Sequence, residues 1–342
     1  MYKGKVFLIL LLTAVFYPIY TLDLEDIKYS GPLYGKNYYL PHLLIYSFPG
    51  FSPRTGEKDE ITSSISYSGI NEFLLYFKGE VRVDYESSVL ESSFTYRVSD
   101  KLLIGTDIRL ISYYGGFMDP VIDFWHDIFD FPGAGRSLYP SSDVDILIKN
   151  SSGNSPTLDS DSIYLGDTDI YGVWNIVEDI FYSVALAAAV KLPTGSFTYL
   201  TGSNYMDLGL QALGELYLGN RWVLGLQQGV VFPGEVILNR SDEDTYASNI
   251  VSQTFLWVEF SPYKDLGFIT QFRVNTSPIS STSLTNSQMF GDYYLFTLPQ
   301  TSLIIGVKKY YKDLLLQLSL EEDPFTLEGV DIQWSFRATK AF

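Results

Sequence analysis

The sequence predicts an all-β fold: an antiparallel transmembrane β-barrel of outer-membrane type, with about twelve strands and one short amphipathic helical insertion. Three observations carry this. Aromatics make up 16% of the 342 residues and charged residues only 18%, with 27 tyrosines and 27 glycines. That composition suits a large sheet with one apolar and one wet face. From about residue 60 onward, short alternating runs are joined by connections that are short and long in turn. The final run ends on an aromatic residue, Phe342.

The first 21 residues read as a signal peptide. Lys3 and Lys5 precede the apolar run Val6–Phe16, and Pro18 breaks it. A basic start followed by about ten apolar residues fits an export signal, and the run is too short for a membrane helix of about twenty residues. An uncleaved anchor is the alternative. Cleavage near Thr21 would remove two lysines and no acid, taking the formal charge from −17 to 21 − 40 = −19. Such a balance disfavours a nucleic-acid partner. The absence of cysteine removes disulfides, thiolate metal sites and cysteine nucleophiles. Residues 22–59 read as an extended N-terminal segment, because Pro32, Pro41, Pro49 and Pro53 oppose regular structure.

The barrel is expected over 60–342. Strands are read at roughly 60–76, 80–98, 101–114, 163–176, 180–192, 204–217, 221–234, 250–261, 266–276, 291–309, 313–320 and 329–342. In Tyr205–Tyr217 one face shows Met206, Leu208, Leu210, Ala212 and Leu216, and the other Asp207, Gly209, Gln211 and Glu215. Alternation of this kind also occurs in soluble sandwiches. The loops separate the two. Tight polar turns at 99–101, 177–179, 219–221, 263–265 and 311–313 alternate with longer segments at 115–162, 193–203, 235–249, 277–290 and 321–328. Short turns on one rim and long loops on the other are the asymmetry of an outer-membrane barrel. The short link Lys78-Gly79-Glu80 departs from that parity. Counting back by twos from Phe342 gives Lys340, Ala338, Phe336, Trp334 and Ile332, a mostly apolar face resembling the terminal signal read by the barrel assembly machinery.

The helical insertion lies at 115–140. Gly115-Gly116 opens it, Pro120 suits a first helical turn, and Pro132-Gly133 closes it. Val121, Ile122, Trp125, Ile128 and Phe129 recur at spacings of three and four and form an apolar stripe. Asp119, Asp123, His126, Asp127 and Asp130 form an acidic stripe beside it, with Arg136 following. Carboxylates in a row on one helix do not wrap a cation as a calcium loop does, so no metal is expected. A lumen-lining or solvated face is the plainer account.

The residues Gly115-Gly116-Phe117-Met118-Asp119, then Ile122, Phe124 and His126, then Phe131-Pro132 and Gly135-Arg136 resemble the signature of an uncharacterised bacterial family, DUF3187. Gly31-Pro32-Leu33, Asn37 and Lys191-Leu192-Pro193-Thr194-Gly195 fall in the same order around it. The resemblance implies an outer-membrane location and no established activity.

Asp167 and Asp169 share one strand face with Tyr171. A carboxylate facing hydrocarbon is costly, so that face is expected to be the lumen, together with Asp207, Gln211 and Glu215. Lumen acids would favour cations in transit. The two histidines, His42 and His126, have no assignable serine partner, and no phosphate-binding glycine loop precedes a helix. Neither an enzyme nor a cofactor is expected. The expectation is a passive channel or transporter for a small solute in contact with outer-membrane lipid, constricted or gated by 115–140. The alternative is a closed barrel with a structural or surface-binding role through its external loops. The candidate binding or pore-lining residues are Asp119, Asp123, Trp125, His126, Asp127, Asp130, Arg136, Asp167, Asp169, Asp207, Gln211 and Glu215.

Overall fold

The computed structural model describes residues 31–75, 81–120, 122, 124, 128, 144–148, 158, 162–234, 236–237, 245–246, 249–278, 298–323 and 332–342. Twelve strands form the wall: β1 (Ile61–Leu75), β2 (Val81–Ser99), β3 (Leu102–Tyr114), β4 (Thr168–Glu178), β5 (Tyr182–Leu192), β6 (Asp207–Leu218), β7 (Trp222–Phe232), β8 (Val251–Tyr263), β9 (Leu266–Asn275), β10 (Gln300–Tyr311), β11 (Leu314–Glu322) and β12 (Ile332–Ala341). Each pairs antiparallel with its sequence neighbours, and β12 pairs with β1 from Thr62↔Ala341 to Asn71↔Ile332. The wall of twelve strands therefore closes on itself. The backbone of Phe342 exchanges hydrogen bonds with Ile61, so the wall ends where it began.

The side-chain period of two sorts the wall. Leu208, Leu210 and Leu216 of β6 are 53%, 58% and 52% exposed, while Asp207, Gln211 and Glu215 between them are 1%, 3% and 2% exposed. The other strands repeat this pattern, with Ile65, Phe94, Ile108, Trp174, Leu226, Phe268 and Leu318 pointing outward. An exposed apolar belt around a polar interior is the membrane-barrel arrangement, since lipid is the solvent on the outside. The loop parity matches the sequence reading: strand ends at 99/102, 178/182, 218/222, 263/266 and 311/314 make a short-turn rim. At the long-loop rim, Asp145–Ile148 extends the wall beside β2 and Ile163–Leu165 beside β3. The Lys78-Gly79-Glu80 link lies outside the described residues.

Within the insertion, the backbone is helical at Asp119, Pro120, Ile122, Phe124 and Ile128, and the Ile122 amide donates to the Met118 carbonyl at 2.9 Å. No complete α-helix is delimited there, and Val121, Asp123, Trp125, His126, Asp127 and 129–143 lie outside the described residues. The first turn lies on the outer face of the wall. Met118 and Ile122 pack on Ile332, Leu320 and Trp334, and Asn71 donates to Asp119 at 3.1 Å. Gly116 has φ +72°, and a Cβ there would fall 1.8 Å from the Glu86 carboxyl carbon. The double glycine thus lets the chain turn tightly over Glu86 and run outside β2 and β1.

The segment 31–59 carries one short 3₁₀ turn, His42–Leu44, and otherwise no regular element. Its place is the interior of the barrel, where nearly every residue from 31 to 51 is buried.

Candidate functional site

The lumen and the segment that fills it make the site. Gly31 starts beside the short-turn rim, where its carbonyl accepts from Lys308 near the end of β10. The chain then rises, turns at 39–44 below the long-loop rim, where the Leu40 amide donates to Glu72 at 3.3 Å, and descends. Tyr46 donates its amide to Asp207 at 2.7 Å and Phe48 donates its own to Gln253 at 2.9 Å. Further down, the Pro53 carbonyl accepts from Asn175 at 2.7 Å, and Thr55 donates to the Asp100 carbonyl at the short-turn rim. The two limbs touch: a Cβ on Gly31 would meet Ser52 at 2.7 Å, and one on Gly50 would meet the Leu33 carbonyl at 2.6 Å.

This hairpin is held by side chains of the wall rather than by a strand ladder. Lys36 Nζ lies 3.2 Å from Glu91, 2.8 Å from Asp107 and 2.6 Å from Asp169, drawing together β2, β3 and β4. Burial alone would pull its ammonium pKa down, but Asp107, Asp169 and Glu91 push it well above the ordinary lysine value. Tyr34 donates to Glu91 at 2.5 Å and to Asp107 at 2.9 Å, and the Arg337 guanidinium lies 3.5 Å from its ring centre. Lys191 makes a second knot, at 2.6 Å from Asp167, 3.3 Å from Asp207 and 2.8 Å from both the Leu44 carbonyl and Ser203. Asp167 also accepts from the Gly195 amide at 2.8 Å. The Lys191–Gly195 run therefore ties a strand end, the following loop and the lumenal segment together.

Apolar anchoring runs along the wall from β4 to β7. Phe48 fits where β6 and β7 carry glycine: a Cβ on Gly209 would lie 2.7 Å from its ring and one on Gly229 2.9 Å. Tyr46 packs edge-on to Phe48 at 4.8 Å, and Phe51 packs on Tyr171 at the same distance. Ala185, Ala187 and Ala189 of β5 leave space for these rings.

Of the sequence candidates, Asp167, Asp169, Asp207, Gln211 and Glu215 point into the lumen and are at most 3% exposed. Asp119 is buried on the outer wall against Asn71, apart from the lumenal group. Asp123, Trp125, His126, Asp127, Asp130 and Arg136 lie outside the described residues. Among the described residues no group of histidines and carboxylates is arranged to hold a metal ion. The sequence reading missed Lys36, Glu91, Asp107, Arg109 and Arg337. Period-two alternation marks Glu91, Asp107 and Arg109 as inward, but the partner, Lys36, is 71 residues from Asp107 and sits in a segment without periodicity.

A family model described as a protein of unknown function, DUF3187, matches residues 75–323. No curated protein matches the chain in sequence. The crystal structure of the COG4313 outer membrane channel from Pseudomonas putida F1 shares the fold, with a TM-score of 0.56, 12% identity and coverage of 85% of this chain and 98% of that one. Two looser likenesses are the KdgM porin in complex with disordered oligogalacturonate and the TodX monoaromatic hydrocarbon channel deltaS2 mutant. Their TM-scores are 0.41 and 0.40, their identities 7% and 11%, and they cover 82% and 94% of this chain and 98% of theirs.

Proposed function

The chain belongs to the DUF3187 family, and on that premise we propose that it is an outer-membrane channel for a small solute, narrowed in this conformation by residues 31–55. One observation carries the reading: the wall closes by its own ladder, while its filling hangs on side-chain contacts that break without opening the sheet. A barrel of this size has an interior that side chains and short segments can fill, so the same interior widens once the filling moves. Gating is assigned to 31–55. The expected constriction by 115–140 would require residues outside the described set to reach inward, since the first turn of that insertion starts on the outer face.

In this reading residues 1–21 serve export, and Phe342, 69% exposed at the short-turn rim, is presented to the assembly machinery. The exposed apolar belt faces outer-membrane lipid.

The test is single-channel conductance in planar bilayers of the refolded protein, intact, lacking 31–55, and lacking 117–136. Current that rises on deleting 31–55 supports the proposal, and loss of 117–136 reports any contribution of the insertion. Silence in all three forms sinks it. One observation favours a second reading, a closed barrel acting through its external loops: the cavity left beside Tyr34 holds only about 10 Å³, room for about one water.

A further inference from the structure

We propose that solute crosses along the wall built by β1, β11 and β12, in a lane between that wall and the docked segment, and that the solute is a small uncharged molecule rich in hydroxyl or amide groups. The inference rests on the channel reading and adds to it a path and a ligand class.

The docked segment is fastened unevenly. Lys36 ties it to β2, β3 and β4, Lys191 to β5, and Tyr46, Phe48 and Phe51 seat on β6 to β8. On β1, β11 and β12 the segment is held at the level of Gln333, which donates to the Lys36 carbonyl at 3.3 Å, and of Glu72, which accepts from the Leu40 amide at 3.3 Å, with Glu321 there paired to Arg273. Toward the short-turn rim from there the inward side chains Ser66, Ser68, Ser319 and Ser335 are small and hydroxylic. Register places them in tiers: Ser66, Arg337 and Gln317 stand at one height, and Ser68, Ser335 and Ser319 at the next. Ser68 and Ser335 bond to each other at 2.7 Å rather than to the segment. Ser66, Ser68, Gln317, Ser335 and Arg337 keep between 5% and 8% of their surface accessible, whereas Lys36, Glu91, Asp107, Gln227, Gln253 and Arg273 keep none. A cavity of about 10 Å³ lies in this seam, lined by both tiers and by Tyr34, Gly35 and Tyr38.

Gln317 gives the seam its ligand chemistry. It is 93% buried and lines the cavity, yet its Oε1 accepts no hydrogen bond among the described residues. A buried acceptor without a donor is costly, and a passing hydroxyl or amide N–H would satisfy it. Neither tier carries an acid, and the Arg337 charge is offset by Glu91 at 3.7 Å and stacked on Tyr34. Hydroxyls, an amide and tyrosine edges recognise neutral hydrogen-bonding solutes. They hold no fixed countercharge for an ion.

The absence of native cysteine makes the test direct. Single variants Ser66→Cys and Ser335→Cys in the lane, and Ala187→Cys and Gln253→Cys on the fastened side, are reconstituted and reacted with methyl methanethiosulfonate. Lane thiols should react about tenfold faster than the buried controls, because an inaccessible thiol is inert. A bulkier neutral reagent at the lane positions should then abolish glycerol-driven vesicle swelling, while a Gly214→Cys variant on the outward face, treated in the same way, swells normally. Equal labelling rates, swelling that survives a blocked lane, or equal swelling in lysine hydrochloride would overturn the proposal. Absence of glycerol flux and of current both in the intact protein and after deletion of 31–55 would remove the channel reading itself, and the lane with it.

Discussion

Lys36 stands where three carboxylates converge, and its removal tests whether the filling is held by charge. Lys36→Met keeps the length of the stem and leaves Glu91, Asp107 and Asp169 facing Arg109 and Arg337 alone. Breaking a buried pair from one side typically costs about 3–5 kcal/mol, because the stranded charges stay desolvated. The expected result is a segment that leaves the lumen, seen as protease cleavage within 31–59 while the wall stays resistant. Lys36→Arg should restore protection only in part, since a planar guanidinium does not fit three carboxylates around one point. His42 offers a second handle at this scale. It is buried in the turn of the segment, both ring nitrogens lack hydrogen-bond partners among the described residues, and burial, with Arg273 adding to it, lowers its pKa from 6.5 to about 3. The docked state therefore keeps the ring neutral, whereas the released state protonates it near pH 6.5. Docking is unaffected above that value and weakens as pH falls through the window between the two, by about 2 kcal/mol at about pH 5. Open probability should rise between about pH 7 and about pH 5, and His42→Leu should flatten that rise. Nothing in the sequence around His42 betrays its burial, because the walls that enclose it come from strands up to hundreds of residues away.

At the scale of elements, the strands were legible and the filling was not, and the reason is physical. A strand of a barrel wall meets lipid on one side and the lumen on the other, so each side chain carries a local record of its face. The two sides of Tyr205–Tyr217 separate on inspection. A segment inside a lumen meets wall on all sides and has no period to show. Residues 31–51 carried a different signal: six aromatics among 21 residues, more than a solvated linker needs. The glycines and alanines on the inward face of β5 to β7 are the counterpart of those rings. Gly209→Val tests this fit, since a side chain there would meet Phe48 and Tyr46. Overpacking typically costs about 1–3 kcal/mol, and its effect should be loss of protease protection at 31–59. Phe48→Ala in the same molecule should restore most of that protection, while Gly214→Val, on the outward face, should change neither.

At the scale of the whole molecule, the two ways of opening the lumen differ in the ions they pass. The buried inward acids of the described wall are Glu72, Glu91, Asp107, Asp167, Asp169, Asp207, Glu215, Glu259 and Glu321, and the buried inward bases are Arg109, Lys191, Arg273, Lys308 and Arg337, so these groups sum to 5 − 9 = −4. With 31–55 in place, Lys36 takes up part of that excess, and the seam along β1, β11 and β12 shows no acid at its two tiers. A protein lacking 31–55 should therefore pass cations over anions, with a reversal potential displaced toward the cation value in a salt gradient and a preference that fades as salt screens the wall. The intact protein, conducting through the seam, should show a reversal potential near zero. If the intact protein instead matched the deletion variant in selectivity, its open state would have expelled the whole segment, and the wall acids rather than the serine tiers would govern what crosses. Equal and weak selectivity in both would mean that the acids stay neutralised by one another and by Lys191 after the segment leaves, and that charge plays no part in choosing the solute.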